Sequence, residues 1–332
     1  MAHASDPVWE IIRANWRFSA LSAAVRLGVA EHLADGPLSP GELAARCGAH
    51  APSLARVLRA LAPHGLFASD AEGRYALTEA GRTLLPDHPR SMRGSVLINS
   101  DPDLSYSMRE LTETVRTGRS AFAERYGPLY DYLGTRADLS RLFDDYMKHR
   151  SLPYALSLPE VYDFSGITTV VDVGGGKGHV LAELLRRHPH LRGTLFDLPR
   201  VLPNARENLA ELGDRCELAE GDFFVSVPEG ADCYVLGSVV HNWDDEDALR
   251  ILSTVRRAVP DHGRVLLLDI LLDEGDEPHL GKDMDLRMMG YFQGGCERTR
   301  SEYFALLEKS GLQPVSDADL DGITSVIDAR PR

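Results

Sequence analysis

The stretch Thr169-Val170-Val171-Asp172-Val173-Gly174-Gly175-Gly176-Lys177-Gly178-His179 decides the fold of this chain. Its first five residues are mostly apolar and β-branched, which predicts a buried strand. Four of the next five residues are glycine, and a helix is predicted from about His179 to Arg187. Glycines let a backbone turn sharply and approach a ligand, and open α/β sheets bind ligands at the carboxyl ends of their strands. We therefore expect a ligand site at this turn.

The glycine spacing separates this turn from two common nucleotide sites. A dinucleotide fingerprint has a further glycine three positions after Gly176, where this chain has His179. A P-loop has serine or threonine after its lysine, whereas Gly178 follows Lys177. The loop therefore favours neither NAD nor ATP. A tight strand-to-helix turn without a ligand remains the structural alternative.

Apolar strands alternate with amphipathic helices downstream of the turn. Further strands are predicted at residues 193–196, 232–236 and 264–269. This alternation predicts an α/β fold with a mostly parallel sheet covered by helices on both faces. Residues 265–272 form the most apolar stretch, but Asp269 interrupts it and a spanning helix needs ~20 residues. This stretch is therefore predicted to be a buried strand, and no membrane partner is expected.

The N-terminal part of the chain has a different, mainly helical pattern. Apolar residues recur at helical spacing from Val8 to about Leu33, which predicts one long helix with a buried face. Gly28 is expected to loosen this helix, and residues 35–37 are expected to end it. Ser39 and Glu42 form a capping-box pattern that begins a second helix. Another helix at residues 52–62 and two short strands flanking a polar turn complete a winged-helix pattern.

Residues 87–158 are also helical in pattern, with breaks at residues 101–102, 118, 127–128 and 134. We therefore predict two domains. Residues 1–99 form a mainly α winged-helix domain, and residues 100–332 form a helical connector followed by the α/β domain.

Composition restricts the partners and the location. The 332 residues carry a net charge of −14, which repels nucleic acid and anionic lipid. Four charged residues between Asp6 and Arg17 interrupt the apolar run that a signal peptide needs. The four cysteines are scattered without a C-x-x-C pair, which favours a reducing, cytoplasmic location; they are Cys47, Cys216, Cys233 and Cys296.

Two carboxylates follow strands beside the glycine loop. Asp197 ends the next predicted strand, where a carboxylate is able to accept both hydrogen bonds of a ribose diol. Asp222 and Phe223 follow the strand after that, and this pair suits the amino group and ring of adenine. The alternative is that Asp197 is a solvated strand end and that Phe223 is an ordinary core residue.

Taken together, these segments resemble the small-molecule O-methyltransferases that carry an N-terminal winged-helix dimerisation domain, found in plant phenylpropanoid and bacterial natural-product pathways. The resemblance covers nearly the whole chain. It rests on five segments in order, at residues 172–178, 196–199, 221–224, 240–246 and 294–299. It implies a Rossmann-like methyltransferase domain that uses S-adenosylmethionine and releases S-adenosylhomocysteine, without a metal.

The resemblance also implies roles for particular residues. His241 falls at the position of the general base, and Asp269 and Glu297 fall at the acidic residues that hold its imidazole. The residues at cofactor positions are Gly174, Gly176, Asp197, Asp222, Phe223 and Ser238. The chemistry agrees, because a phenol of pKa ~10 needs its proton removed and a histidine of pKa ~6.5 is able to accept it.

Each catalytic residue also has a structural alternative. His241 resembles a satisfied loop histidine, Asp269 resembles a charge that protects a strand from aggregation, and Glu297 next to Arg298 resembles a surface pair. Two residues depart from the family pattern, namely Asn242 after the base and Cys296 before Glu297. They leave open C- or N-methylation or a hydroxylase-like activity. A metal held by His241 and Cys296 lacks a third ligand.

The acceptor is expected to be a small aromatic, natural-product-like molecule that is methylated at a hydroxyl group. The resemblance implies that its wall is formed by Met147, Met284, Met288, Met289, Tyr291 and Phe292, with Met147, Met288, Met289 and Phe292 as the main contacts. Methionine suits such a wall because it adapts to irregular aromatic ligands. Helical spacing also allows Met284 and Met288 to be core residues.

A winged helix also binds DNA, so a transcription regulator is the rival function. The recognition helix would offer only Arg56 and Arg59, and the wing offers Arg74 against Asp70 and Glu72. The apolar N-terminal helix fits a partner subunit better than a phosphate backbone. We therefore predict a homodimer formed through the N-terminal domain, and no nucleic acid partner.

Overall fold

The computed structural model describes residues 6–332, which form two compact units. The first unit contains the residues up to Ser105 together with Leu133–His149, and the second contains Tyr106–Tyr132 and Arg150–Arg332. The predicted domains 1–99 and 100–332 stay a prediction, because a compact unit is not necessarily a unit that folds independently.

The first unit begins with helices and continues into a β-hairpin. Its elements are α1 (Pro7–Arg26), α2 (Val29–Leu33), α3 (Pro40–Cys47), α4 (Ala51–Leu61), β1 (Phe67–Ser69), β2 (Tyr75–Leu77), α5 (Glu79–Arg82) and α6 (Arg93–Asn99). The prediction of one helix from Val8 to Leu33 is wrong, because Gly28 has a φ of 66° and separates α1 from α2. The capping box of Ser39 and Glu42 is confirmed at the start of α3.

Five helices connect this region to the sheet of the second unit. They are α7 (Tyr106–Arg109), α8 (Leu111–Thr117), α9 (Ala121–Tyr126), α10 (Leu129–Gly134) and α11 (Ala137–Val161). The predicted breaks are confirmed, since Gly118 and Gly127 end α8 and α9 with φ values of 71° and 82°. Within residues 6–332, no helix is long and apolar enough to cross a membrane.

The remaining elements alternate as the sequence predicts. They are β3 (Thr169–Val173), α12 (His179–Arg187), β4 (Arg192–Asp197), α13 (Leu202–Leu209), β5 (Cys216–Glu220), β6 (Cys233–Gly237), α14 (Asp245–Ala258), β7 (Arg264–Leu272), α15 (Leu280–Tyr291), β8 (Arg298–Thr299), α16 (Arg300–Lys309), β9 (Leu312–Asp319) and β10 (Thr324–Pro331). Strands β9 and β10 were not among the predicted strands, and both run antiparallel.

The sheet has the strand order β5-β4-β3-β6-β7-β10-β9, with the short β8 paired to the end of β7. Strands β3 to β7 are parallel. The chain leaves β3 toward β4 and β5, then returns to β6 on the opposite side of β3. Reversal of the strand order at β3 and β6 opens a crevice at their carboxyl ends, where such sheets bind ligands.

Each face of the sheet is covered by its own apolar cluster. Side chains of α11, α12 and α13 pack on one face, including Leu158, Leu181 and Leu185. Side chains of α14 and α16 pack on the other, including Leu252 and Leu307. Burial on both faces makes the central strands a rigid frame for the loops at their carboxyl ends.

Asp232 joins the two central strands at their amino ends. Its Oδ2 atom accepts hydrogen bonds from the backbone N–H and hydroxyl groups of Thr168 and Thr169, at 2.6 to 3.0 Å. His262 Nε2 lies 3.1 Å from the other carboxylate oxygen. Burial opposes ionisation, but the Thr168, Thr169 and His262 hydrogen bonds outweigh it and hold the pKa of Asp232 below its ordinary value.

We expect Asp232→Ala to lower the free energy of unfolding by about 2 kcal/mol, because Thr168 and Thr169 lose a charged acceptor. The wild type should lose this stabilisation as the pH falls through the lowered carboxyl pKa, since the carboxylate then becomes protonated. Urea unfolding at pH 7 measures the first effect. At pH 3, already below the ordinary aspartate pKa of ~3.9, the difference between the two proteins should be smaller, because the loss has begun. An unfolding free energy that is equal in both proteins at pH 7 would contradict this role.

Candidate active site

The glycine loop after β3 has a conformation that only glycine accommodates. Gly174 has a φ of 69°, and its N–H donates to the Phe196 carbonyl at 2.8 Å. A Cβ atom on Gly175 would lie 2.4 Å from the Asp172 carboxylate and 2.5 Å from Leu195 Cδ1. The backbone of Gly176 faces open space. The loop is thus packed against the sheet below and open to a ligand above.

Asp197 lies at the end of β4 and is tied to the glycine loop. Its two carboxylate oxygens accept the N–H groups of Gly176 and Leu198, at 2.9 and 2.7 Å. Burial raises the pKa of Asp197, while these two hydrogen bonds oppose the increase. One lone pair on each oxygen remains for a ligand, because a carboxylate accepts about four hydrogen bonds.

A second carboxyl group, which the sequence analysis did not assign, lies beneath the loop. Asp172 is buried, and its Oδ2 atom has no hydrogen-bond partner within the described residues. Burial and the charge of Asp197 raise the pKa of Asp172 to about 7. A cation bound at this edge would favour the ionised form of both carboxyl groups.

The segment after β5 presents an acid and aromatic rings. Asp222 Oδ1 accepts the N–H of Phe224 at 2.8 Å, so the carboxylate is held in place and remains exposed. The Phe223 ring lies next to Gly174, where a Cβ atom would approach it to 3.4 Å. Trp243 packs edge-on against Phe224 at 4.7 Å between ring centroids. Phe223 therefore borders the glycine loop, and Asp222 precedes it in the chain.

Ser238 follows β6 on the other side of the crevice. It is the only residue other than glycine with a positive φ within the described part of the chain, at 55°. Its hydroxyl accepts a hydrogen bond from Arg150 Nη1 at 3.1 Å and lies 3.3 Å from the Tyr154 hydroxyl. Sequence reasoning missed Arg150, because it lies in the middle of α11 and belongs to no motif.

His241 lies in a short 3₁₀ turn, Val240–Asn242, between β6 and α14. It is 3% exposed, and its Nδ1 atom lies 3.0 Å from Glu297 Oε1 and 3.6 Å from Asp269 Oδ1. A carboxylate only accepts hydrogen bonds, so this contact favours the imidazole tautomer with its hydrogen on Nδ1. Nε2 is therefore available to accept a proton.

The acids beside His241 are both buried. Burial raises the pKa of Asp269 to about 6, His241 opposes this rise and Glu297 adds to it. Asp269 and Glu297 are 1% and 3% exposed. The alternative of a surface pair between Glu297 and Arg298 is wrong, because both side chains are buried and contact different groups. The alternative of an exposed, strand-protecting Asp269 is wrong for the same reason.

The two departures from the family pattern have structural partners. Asn242 Nδ2 donates to the Ser238 carbonyl at 3.1 Å, and the Cys296 N–H donates to the His241 carbonyl at 2.9 Å. Burial raises the pKa of the Cys296 thiol. Within residues 6–332, no three His, Cys, Asp or Glu side chains form a group suited to a metal ion.

Most residues of the predicted acceptor wall lie in one segment of the second unit. Met288 and Met289 lie in α15 and Phe292 follows it, whereas Met147 belongs to the other compact unit. Met288 is buried at 4% exposure, as the core alternative predicts. Sequence reasoning missed Tyr130, whose ring lies 5.8 Å from that of Phe292. Although 44% of Tyr130 is exposed, burial of its hydroxyl end and the charge of Asp197 raise its pKa to about 12.

Two family models match the chain. Residues 108–313 match the O-methyltransferase domain, and residues 9–87 match the O-methyltransferase dimerisation domain. The first match covers more than half of the chain and contains the loop, the carboxylates and the His241 turn. The chain belongs to the O-methyltransferase family.

Individual relatives support the same assignment. The chain is 37% identical to a phenazine O-methyltransferase of Lysobacter antibioticus over 98% of this chain and 96% of the relative. The solved structure of a mitomycin 7-O-methyltransferase has a TM-score of 0.90 at 36% identity, covering 100% of this chain and 98% of that one. An O-methyltransferase from neocarzinostatin biosynthesis, solved with S-adenosylmethionine and 2-hydroxy-5-methyl naphthoic acid, has a TM-score of 0.80 at 36% identity over 95% and 96% of the two chains.

Proposed function

We propose that this enzyme transfers the methyl group of S-adenosylmethionine to a hydroxyl group of a small aromatic acceptor, with His241 as the general base. The observation that carries this proposal is the buried His241, whose Nδ1 is paired with Glu297 while Nε2 remains available. This histidine follows β6, the strand next to the glycine loop of β3. A base and a ligand loop thus share one edge of the sheet.

The residues at this edge fit S-adenosylmethionine. Its ribose diol would donate to the remaining lone pairs of Asp197, and its adenine would lie against Phe223 with its amino group toward Asp222. Gly174 and Gly176 would allow close approach of the loop, and Ser238 would face the amino-acid part of the molecule. Its positive charge suits an edge where Asp172 is a buried and Asp197 a half-buried carboxyl group.

Arg150 extends this assignment beyond the residues predicted from sequence. The methionine part of the cofactor ends in a carboxylate, which requires a cation or several N–H donors. Arg150 donates a hydrogen bond to the Ser238 hydroxyl, so its guanidinium lies on the same side of the crevice as Ser238. We assign Arg150 to the cofactor carboxylate.

The chain's own residues then perform the proton chemistry. When bound, S-adenosylmethionine supplies a methyl group that its sulfonium already activates. Nε2 of His241 accepts the proton of the acceptor hydroxyl as that oxygen becomes the nucleophile. Glu297 holds Nδ1–H and stabilises the imidazolium that forms, and the negative charge of Asp269 favours the same cation. Burial of His241 keeps competing water away from the base.

The acceptor would bind beside apolar and aromatic groups. Met288, Met289 and Phe292 are carried by α15 and its end, and Tyr130 adds a ring beside Phe292. Flat rings pack well against such groups, and methionine adapts to their outline. We propose an aromatic, natural-product-like acceptor on this basis.

The experiment that tests this function is a methyl-transfer assay with labelled S-adenosylmethionine and a panel of aromatic acceptors. The panel contains hydroxynaphthoates, phenols, the matching anilines and the matching methyl ethers. Transfer to hydroxyl groups and not to methyl ethers would support the proposal. Transfer only to the anilines would replace it with N-methylation, and oxygen insertion without transfer would replace it with a hydroxylase-like activity.

We further propose a homodimer formed through the N-terminal unit, in a cytoplasmic location. Helix α1 exposes the apolar side chains of Val8, Trp9, Ile11, Ile12 and Trp16, with Ile11 75% and Trp16 58% exposed. An apolar face of this size is costly to leave in water. The match of residues 9–87 to a dimerisation domain supports this interface, and the four free cysteines support a reducing compartment.

We expect the double variant Ile11→Glu and Trp16→Glu to be monomeric, because it places two charges in the proposed apolar interface. Light scattering after gel filtration at micromolar concentration measures the mass. The matched control is Val115→Glu, which charges a side chain that is 68% exposed on α8 and should leave the dimer intact. A wild-type monomer, or a dimeric double variant, would contradict this interface.

A further inference from the structure

The turn that contains His241 is stabilised mainly by residues that lie outside the turn. Within the turn Val240–Asn242 and the residues beside it, Asn242 N–H donates to the Val239 carbonyl and Trp243 N–H donates to the Val240 carbonyl, each at 3.2 Å. The Asn242 side chain also donates to the Ser238 carbonyl, at 3.1 Å. Ser238 enters the turn with a φ of 55°, a left-handed conformation that is strained for a residue other than glycine. A turn of this kind keeps its conformation only if contacts with neighbouring segments stabilise it.

Residues 295–298, which we call the clamp segment, provide those surroundings. A Cβ atom on Gly295 would lie 3.1 Å from the carbonyl oxygens of His241 and Asn242, so the clamp segment packs closely against the backbone of the turn. The Cys296 N–H donates to the His241 carbonyl at 2.9 Å. Glu297 holds the imidazole itself. Three neighbouring residues thus contact the backbone or ring of the base.

The last residue of the clamp segment makes the most extensive contact. Arg298 is 2% exposed, and its guanidinium donates to the carbonyls of Trp243 at 2.8 Å and Val240 at 3.4 Å. It also donates twice to Asp245 Oδ1, at 3.0 and 2.9 Å. Its partners therefore come before His241, after it, and in the first turn of α14.

The position of Arg298 is itself fixed. It begins β8, which pairs in parallel with the end of β7, and Thr299 caps α16. Asp285 accepts the N–H of Glu297 at 2.8 Å, which fixes the neighbouring residue as well. Successive side chains of an extended segment point to opposite sides, so Glu297 meets the ring while Arg298 meets the backbone of the turn.

We propose that Arg298 is a positioning residue, which sets the place of the His241 imidazole relative to Glu297 and the acceptor hydroxyl. This inference rests on the proposed function of His241 as the base. A planar guanidinium is suited to the task, because its five donors reach several acceptors in fixed directions, whereas a lysine ammonium is a point charge. A displacement of about 1 Å at the reacting atoms lowers a rate by about 100-fold.

The experiment uses the full chain with Arg298→Met and Arg298→Lys. The methionine variant should fold, because Asp245 is 73% exposed in its side chain and becomes hydrated when its partner is removed. The lysine variant retains a charge and one or two hydrogen bonds. The matched control is Arg300→Met, which removes an exposed arginine two residues away that pairs with Asp317 at the surface.

We expect turnover to fall by about 100-fold in Arg298→Met and by about tenfold in Arg298→Lys, with the melting temperature recorded for each variant. The dissociation constant of S-adenosylhomocysteine should stay within about twofold, since Arg298 contacts no cofactor residue. In ¹⁵N-imidazole NMR spectra, the Nδ1 proton of His241 should shift or exchange faster in both variants. The control should match the wild type in every measurement.

Two outcomes would overturn the inference. One is an Nδ1 proton signal that is unchanged in Arg298→Met, because the imidazole would then be correctly placed without Arg298. The other is a loss of turnover equal to the loss of cofactor binding, which indicates a general structural role. The NMR signal needs no acceptor, so a wild type that methylates nothing in the panel contradicts the proposed function separately from this inference.

Discussion

His241→Gln should lower turnover by about 10²- to 10⁴-fold while the affinity for S-adenosylhomocysteine stays the same. The reason is that glutamine fills a similar volume but does not accept a proton at neutral pH, so the hydroxyl must ionise unaided. The remaining activity should rise with pH, because a larger fraction of the acceptor is then ionised. Steady-state rates at saturating cofactor, with calorimetry for the affinity, measure both quantities.

The sharpest control for this prediction changes the acceptor. An acceptor whose hydroxyl is already ionised at the assay pH, such as a nitro-substituted phenol, does not need the base. Its turnover should therefore differ little between the wild type and His241→Gln. His64→Gln, at an exposed position in the first unit, should behave as the wild type with both acceptors. An equal loss with both acceptors would mean that His241 supports the site without removing a proton.

Asp197→Asn should weaken the binding of both S-adenosylmethionine and S-adenosylhomocysteine by more than about tenfold, or 1.4 kcal/mol. The amide keeps the shape of the side chain, but it replaces one acceptor oxygen with a donor. That donor would face either the Gly176 or the Leu198 N–H group, or the ribose. Turnover at saturating cofactor should change less than affinity, since Asp197 lies away from the base. Isothermal titration with each ligand measures the effect.

Glu217→Gln is the matched control for Asp197, because it removes an exposed carboxylate from the neighbouring strand β5. Its affinity for both ligands should equal that of the wild type. If Asp197→Asn also binds both ligands with wild-type affinity, the ribose assignment is wrong. If the wild type binds neither ligand while remaining folded, the cofactor proposal as a whole is wrong.

Strong local signals made the centre of the fold predictable. Strand β3 ends where an apolar run meets Gly174, so its bounds are those expected. The single helix predicted from Val8 to Leu33 is broken, because one glycine costs a helix only about 1 kcal/mol and packing decides whether it is tolerated. Here Gly28 leaves the helical conformation and lets Val29, Ala30 and Leu33 become buried. Strand β9 was missed because its half-exposed sequence is rich in Asp.

Site residues that belong to a sequence motif were predictable, whereas residues that only the tertiary fold brings to the site were not. The glycine loop, Asp197 and His241 each lie next to a recognisable strand end, so their proximity follows from the topology. Arg298 gave no such signal, because a charged pair beside Glu297 resembles a surface feature. Its burial depends on the pairing of β8 with the end of β7, where Arg298 lies opposite Leu271, 27 residues earlier in the sequence. Arg150 and Tyr130 were likewise brought to the site by folding alone.

The positions of the three tryptophans allow intrinsic fluorescence to report on both the proposed interface and the proposed cofactor site. Trp9 and Trp16 lie on the exposed face of α1, whereas Trp243 packs on Phe224 beside the residues assigned to adenine. The indole emission spectrum is sensitive to hydration, so the first two should report subunit association by a shift to shorter wavelength. A chain with phenylalanine at both N-terminal positions would leave Trp243 as a single fluorophore, and quenching of its emission would follow the arrival of the cofactor in real time.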